Sequence, residues 1–168
     1  MPEFPIDSAI PTLPPGFIIS QPKKQRHDVY TGPGKSYLRV KTGKNFAYVS
    51  TNDWIKAYAR DGDWLLIEYE VNNNVGNRMG YVQGKKINDF GKAPELPNAD
   101  LPIRITRPCI ITDDPNAKER VLLQVPKDLT GTLFCVHANR WGYVELNIDG
   151  NLVRGFVNYA DFVIEYNK

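Results

Sequence analysis

The chain has 168 residues, 42% hydrophobic and 24% charged, a globular balance that excludes wholesale disorder. Its formal net charge of +2 is too small to argue for nucleic acid. No apolar run approaches the roughly 18–20 residues that span a bilayer, so membrane insertion is not expected.

Residues 1–22 hold six of the thirteen Pro, and residues 1–25 read as a Pro-rich extended leader. Phe17-Ile18-Ile19 could still pack onto a neighbour as an edge segment. The opening lacks the basic and apolar regions of a signal peptide. Lys23, Lys24 and Arg26 form a small basic cluster, read as a solvated turn. The halves differ slightly in charge, +4 over 1–92 and −2 over 93–168.

The first module is expected over 26–90. Thr31-Gly32-Pro33-Gly34 is a strong turn signal. Strand-like runs follow at 37–40, 47–49, 54–59 and 64–69. A polar hairpin tip, Asn72-Asn73-Asn74 with Gly76-Asn77, precedes Met79-Gly80-Tyr81-Val82. Residues 91–102 carry three Pro and read as a linker. The second module is expected over 103–168, with a first turn at Asp113-Asp114-Pro115-Asn116 and Asp149-Gly150 in its hairpin tip.

The two modules share landmarks. Trp64 begins a strand that leads to Gly80-Tyr81-Val82, and Trp141 begins one that leads to Gly155-Phe156-Val157. The Trp-to-Gly offsets are 16 and 14, and Glu68 and Glu145 each fall four residues after their Trp. This pattern reads as an internal duplication of one β module. Alternation places Leu65, Ile67 and Tyr69 on one face, and Trp64, Leu66 and Glu68 on the other. Glu on that second face predicts that it is partly wet, with a Trp on or near a solvated surface.

The order Val29-Tyr30-Thr31-Gly32-Pro33-Gly34, Tyr37-Leu38-Arg39, Gly43-Lys44, Gly62-Asp63-Trp64 and Gly80-Tyr81-Val82 resembles the bacterial SH3-like family. The second module matches less well, with Asp113-Asp114-Pro115 where the Gly-Pro-Gly turn stands in the first. The resemblance implies an all-β chain of two small SH3-like partly open barrels in tandem. It also implies a targeting or ligand-binding role in an extracellular or cell-envelope setting.

The residues offer little for catalysis. A papain-like centre needs a Cys nucleophile beside a His base, with the Cys opening a helix. Cys109 and Cys135 have no such context, although Cys135 and His137 alternate onto one strand face. The two Cys read as buried thiols or, if their strands pair suitably, as a disulfide. Glu68 and Glu70 share a strand face, as solvated residues commonly do. Gly34-Lys35-Ser36 lacks the spacing of a phosphate loop. No catalytic residue, metal site or cofactor is expected.

What remains is a supply of aromatics suited to shallow peptide or glycan grooves. The expected groove comprises Tyr30, Tyr37, Arg39, Trp64 and Tyr81, with Glu68 as a rim acceptor. The expected function is non-catalytic binding of peptide or cell-wall material. The alternative is a structural or protein-interaction scaffold within a larger protein.

Overall fold

Apolar residues in the run that begins at Trp64 face both ways, and that run becomes the centre of a sheet. The computed structural model describes residues 6–19, 25–42, 44–50, 55–71, 76–116 and 120–166. Trp54, the 72–74 hairpin tip and the Lys23-Lys24 pair lie outside them. The chain is all-β and divides into two compact units, 14–96 and 97–168 together with 1–13.

Unit 14–96 contains β1 (Phe17–Ile19), β2 (Arg26–Asp28), β3 (Lys41–Thr42), β4 (Asn45–Phe46), β5 (Tyr48–Ser50), β6 (Ile55–Asp61), β7 (Trp64–Val71) and β8 (Gly76–Gln83). Strands β1, β6, β7 and β8 form one antiparallel sheet in that order. Strands β2 and β5 pair with each other, as do β3 and β4. Beyond β2, Tyr30 bridges to Tyr81 through two main-chain hydrogen bonds of 2.9 and 2.7 Å. Leu65, Ile67 and Tyr69 are buried, as the alternation predicts. The opposite face is drier than expected: Leu66 and Tyr81 are buried there, while Trp64, Glu68 and Glu70 keep partial exposure.

The other unit contains β9 (Leu101–Ile105), β10 (Cys109–Thr112), β11 (Val121–Val125), β12 (Thr130–His137), β13 (Trp141–Ile148), β14 (Asn151–Asn158) and β15 (Phe162–Ile164). They form one antiparallel sheet in the order β11-β10-β14-β13-β12-β9-β15. The duplication appears in the register. Trp64 faces Gln83 and Leu66 faces Tyr81; Trp141 faces Asn158 and Tyr143 faces Phe156. The register shifts between Ala57 and Ala59 in β6, and between Leu133 and Cys135 in β12. Tyr30 meets Tyr81 of β8 where Thr112 meets Phe156 of β14.

The described parts of the Pro-rich segments are anchored. Ile10 and Leu13 are buried within the second unit, and Phe17–Ile19 is an edge strand on β6. Of the expected linker, Ala93 is buried in the first unit, and β9 begins at Leu101 in the second. Cys109 and Cys135 are free thiols. Among the described residues, no helix is long and apolar enough to cross a membrane.

Candidate functional site

The short strands β2 to β5 lay a row of rings and cations on unit 14–96. Alternation in β2 sends His27 inward and leaves Arg26 and Asp28 outside. In β5 it buries Val49 and exposes Tyr48, which pairs directly with Asp28. The Arg26 guanidinium stacks 3.9 Å from the Tyr48 ring and reaches the Asp28 carboxylate at 3.5 Å.

Arg39 joins these residues to the Trp-bearing hairpin. Its guanidinium lies 4.6 Å from the Phe46 ring and 5.0 Å from the Tyr30 ring. One terminal nitrogen donates to the Ala47 carbonyl and pairs with Asp28, both at 3.3 Å. The Arg39 Nε–H is buried and finds no acceptor among the described residues. Tyr30 in turn meets Trp64 edge to face, with centroids 5.4 Å apart and planes at 84°. Lys41, paired with Phe46 across β3 and β4, has its ammonium 5.3 Å from that ring. The result is a row running Trp64, Tyr30, Arg39, Phe46, Lys41, flanked by Arg26 and Tyr48. Arg26 and Arg39 share one carboxylate, Asp28. Such a surface offers ring faces to apolar or sugar groups and guanidinium donors to carboxylates and amide carbonyls.

The structure brings together Tyr30, Arg39 and Trp64 of the expected groove. Tyr37 has a local role. Its ring lies over Gly32, where an added Cβ would sit 2.0 Å from it. The same turn is closed by the Thr31 N–H and hydroxyl, which donate to the Leu38 carbonyl at 2.9 and 2.7 Å.

Two expected residues need correction. Tyr81 is fully buried, because its pairing with Tyr30 and Leu66 places its ring in the core. Glu68 is half-buried in a different cluster, four residues or ~13 Å along β7 from Trp64. It accepts from the Tyr58 hydroxyl at 2.6 Å and from Asn77 at 2.9 Å. Burial, then the Glu68 carboxylate, raise the Tyr58 hydroxyl pKa well above its ordinary value.

Sequence reasoning missed Arg26, Asp28, Lys41, Phe46 and Tyr48. The signal for Arg26, Asp28 and Tyr48 was the alternation at 26–28 and 48–50, too short to stand out from loop composition, and the two-residue strands of Lys41 and Phe46 leave none.

The second unit does not repeat the row. Thr112 stands where Tyr30 would be and is buried, and so is Trp141, against the expectation of a wet Trp. Instead Arg154 donates to Glu145 at 2.9 Å and lies 4.2 Å from the Phe134 ring. Burial pushes the Cys135 thiol up to about 12. Burial and the Asp161 carboxylate push Cys109 up to about 11, against the opposing pull of Arg107. Both therefore stay protonated at neutral pH, the reverse of an activated nucleophile. His137, on the face of Cys135, bonds Asn116 at 2.9 Å and packs on Phe156.

No family model and no curated protein matches the chain. Among solved structures it is similar to NlpC2 from Trichomonas vaginalis, with 11% identity and a TM-score of 0.37 over 92% of this chain and 49% of that one. It is also similar to NlpC1 from the same organism, with 9% identity and a TM-score of 0.37 over 97% and 52%. The chain spans about half the length of these two structures.

Proposed function

We propose that the protein is a non-catalytic binding module whose ligand, peptide or cell-wall glycopeptide, lies along the row from Trp64 to Lys41. The observation that carries this reading is Arg39, held against the Tyr30 and Phe46 rings and, through Asp28, beside the exposed Tyr48. A guanidinium fixed in this way loses little freedom when a carboxylate or carbonyl arrives. Phe46 and Tyr48 are 44% and 49% exposed, so their faces are open to a ligand. The resemblance to bacterial SH3-like modules supports an envelope or extracellular setting for the same role.

The test is a titration of isotope-labelled protein with soluble peptidoglycan fragments, following backbone amide shifts. Saturable shifts confined to Tyr30, Arg39, Phe46, Tyr48 and Trp64, lost in Phe46→Ser/Tyr48→Ser, are expected. No shift at millimolar fragment would overturn the wall-binding reading. The exposed Phe46 and Tyr48 then favour the second reading, a protein-interaction scaffold that uses the same face.

A further inference from the structure

Two short segments, far apart in sequence, dock in the same way on equivalent strands. Ile10-Pro11-Thr12-Leu13 runs parallel to β12: the Val136 N–H donates to the Pro11 carbonyl at 2.9 Å, and the Leu13 N–H donates to the Val136 carbonyl at 2.8 Å. Ala93-Pro94-Glu95-Leu96 runs parallel to β6: the Arg60 N–H donates to Pro94 and the Leu96 N–H to Arg60, both at 2.7 Å. Both segments read apolar-Pro-x-Leu, and Pro follows each Leu in the chain. Each is entered through an i to i+3 turn, Ile10 to Asp7 and Ala93 to Phe90.

The seats are equivalent by register. Cys135 faces Tyr143 as Ala59 faces Leu66, so Val136 corresponds to Arg60, two residues past each bulge. The β9 ladder on β12 ends at Leu133, and the β1 ladder on β6 ends at Ala57. Beyond that point the strand edge has an N–H and a carbonyl to satisfy. Pro suits the second position because its carbonyl accepts and no N–H is required of it. The following Pro biases Leu toward extended backbone, which aims its N–H at the strand. The residue between the two bonds, Thr12 or Glu95, is exposed, whereas Ile10, Leu13 and Ala93 are buried.

Each unit is served by the segment that opens the other repeat. Residues 10–13 precede β1 of unit 14–96 but dock on β12, and residues 93–96 precede β9 but dock on β6. The seats differ in chemistry, for Arg60 Nε also donates to the Ala93 carbonyl at 2.7 Å and Val136 has no such donor. One motif, in one register, on two diverged strands is the mark of a recognition mode.

We infer that the edge of β12 at Val136 is a seat for an extended apolar-Pro-x-Leu peptide added parallel to the strand, with residues 10–13 as its resident ligand. A tethered resident occupies the seat at millimolar effective concentration, which shields it from weak competitors.

The experiment uses the full chain carrying Ile10→Asp/Leu13→Asp and two synthetic peptides, residues 8–15 and residues 91–98. Both are expected to shift the Val136 and Phe134 amides of the variant saturably and to leave the wild type unchanged at 1 mM. An 8–15 peptide with Leu13→Asp should bind about tenfold more weakly or worse, given the apolar burial it loses. A folded variant that binds neither peptide, or binds the Asp peptide equally, overturns the inference. Should the variant not fold, native-state hydrogen exchange on the wild type decides. Leu13 and Val136 are expected to open together, well before the β13–β14 amides. Exchange of that pair only through global unfolding overturns a displaceable ligand.

Discussion

Gly80 and Gly155 show why a Gly precedes the buried aromatic in both modules. A Cβ at Gly80 would lie 2.5 Å from Val29 Cγ1 and 3.0 Å from the Tyr30 carbonyl oxygen. At Gly155 it would lie 2.7 Å from Ile111 Cγ1 and 2.9 Å from the Thr112 carbonyl oxygen. In each case a neighbouring chain crosses against the Gly, and backbone cannot step aside. Gly80→Ala and Gly155→Ala should each cost ~1–3 kcal/mol, as overpacking does. Gly91→Ala, where nothing lies within 4 Å, serves as the neutral comparison in the same thermal melts. A second residue carries strain of the opposite kind. Ala138 and Asn139 form the turn after β12 with φ of 55° and 52°. Left-handed backbone costs a non-Gly residue ~1–2 kcal/mol, while Gly forfeits ~0.5–1 through chain entropy. Ala138→Gly should therefore stabilise by about 0.5–1 kcal/mol, read as a higher denaturation midpoint at unchanged slope.

The repeated hairpins solve one problem with different chemistry. Glu68 and Glu145 stand at equivalent positions, facing Met79 and Arg154 respectively. In β7 the carboxylate is satisfied by Tyr58 and Asn77; in β13 it is held by Arg154, itself 9% exposed. Glu145→Ala removes one partner of a mostly buried guanidinium. Its cost should fall between the ~1 kcal/mol of an exposed pair and the ~3–5 of a buried one. Glu145→Gln, which keeps an acceptor, should recover part of it in the same unfolding assay. The duplication was legible in the sequence because Trp, Glu and Gly mark register directly, and Asp149-Gly150 marked its hairpin, with φ of 52° and 84°. Tyr30, Arg39 and Trp64 were legible as a group because the resemblance to the SH3-like pattern singles out the Tyr-rich turn and the Trp-bearing hairpin. The burial of Tyr81 was not, since period-2 alternation cannot tell a wet face from one covered by a distant chain segment. The docking of 10–13 on β12 was hidden for a similar reason. It consists of two main-chain bonds across 123 and 125 residues, and Pro-rich composition reads locally as leader.

At the scale of the whole molecule, Cys135, Cys109 and Tyr58 contribute to the response to alkali, alongside Tyr159 and Tyr166, whose hydroxyls are also raised. Cys135 rises from 9.0 to about 12 and Cys109 to about 11, while the Tyr58 hydroxyl rises from 10.0. Burial is the main cause for each. The sign follows from proton counting. Below pH 9 both folded and unfolded chains hold these protons, and stability is independent of them. Above pH 9 the unfolded thiols ionise first, so the folded state holds more protons and stability falls as pH rises. The Tyr58 contribution begins near pH 10 and adds to the same fall. Differences between variants isolate each acid. Thermal unfolding at pH 7, 8.5, 9.5 and 10.5 is expected to be flat to about 8.5 and then to decline. Cys135→Ala should reduce the decline between pH 9 and 10, and Tyr58→Phe should reduce it only beyond 10. Equal slopes in wild type and Cys135→Ala would mean that the thiol ionises as freely in the folded chain as in the unfolded one, which a fully buried Cys135 between Phe134 and Val136 does not allow.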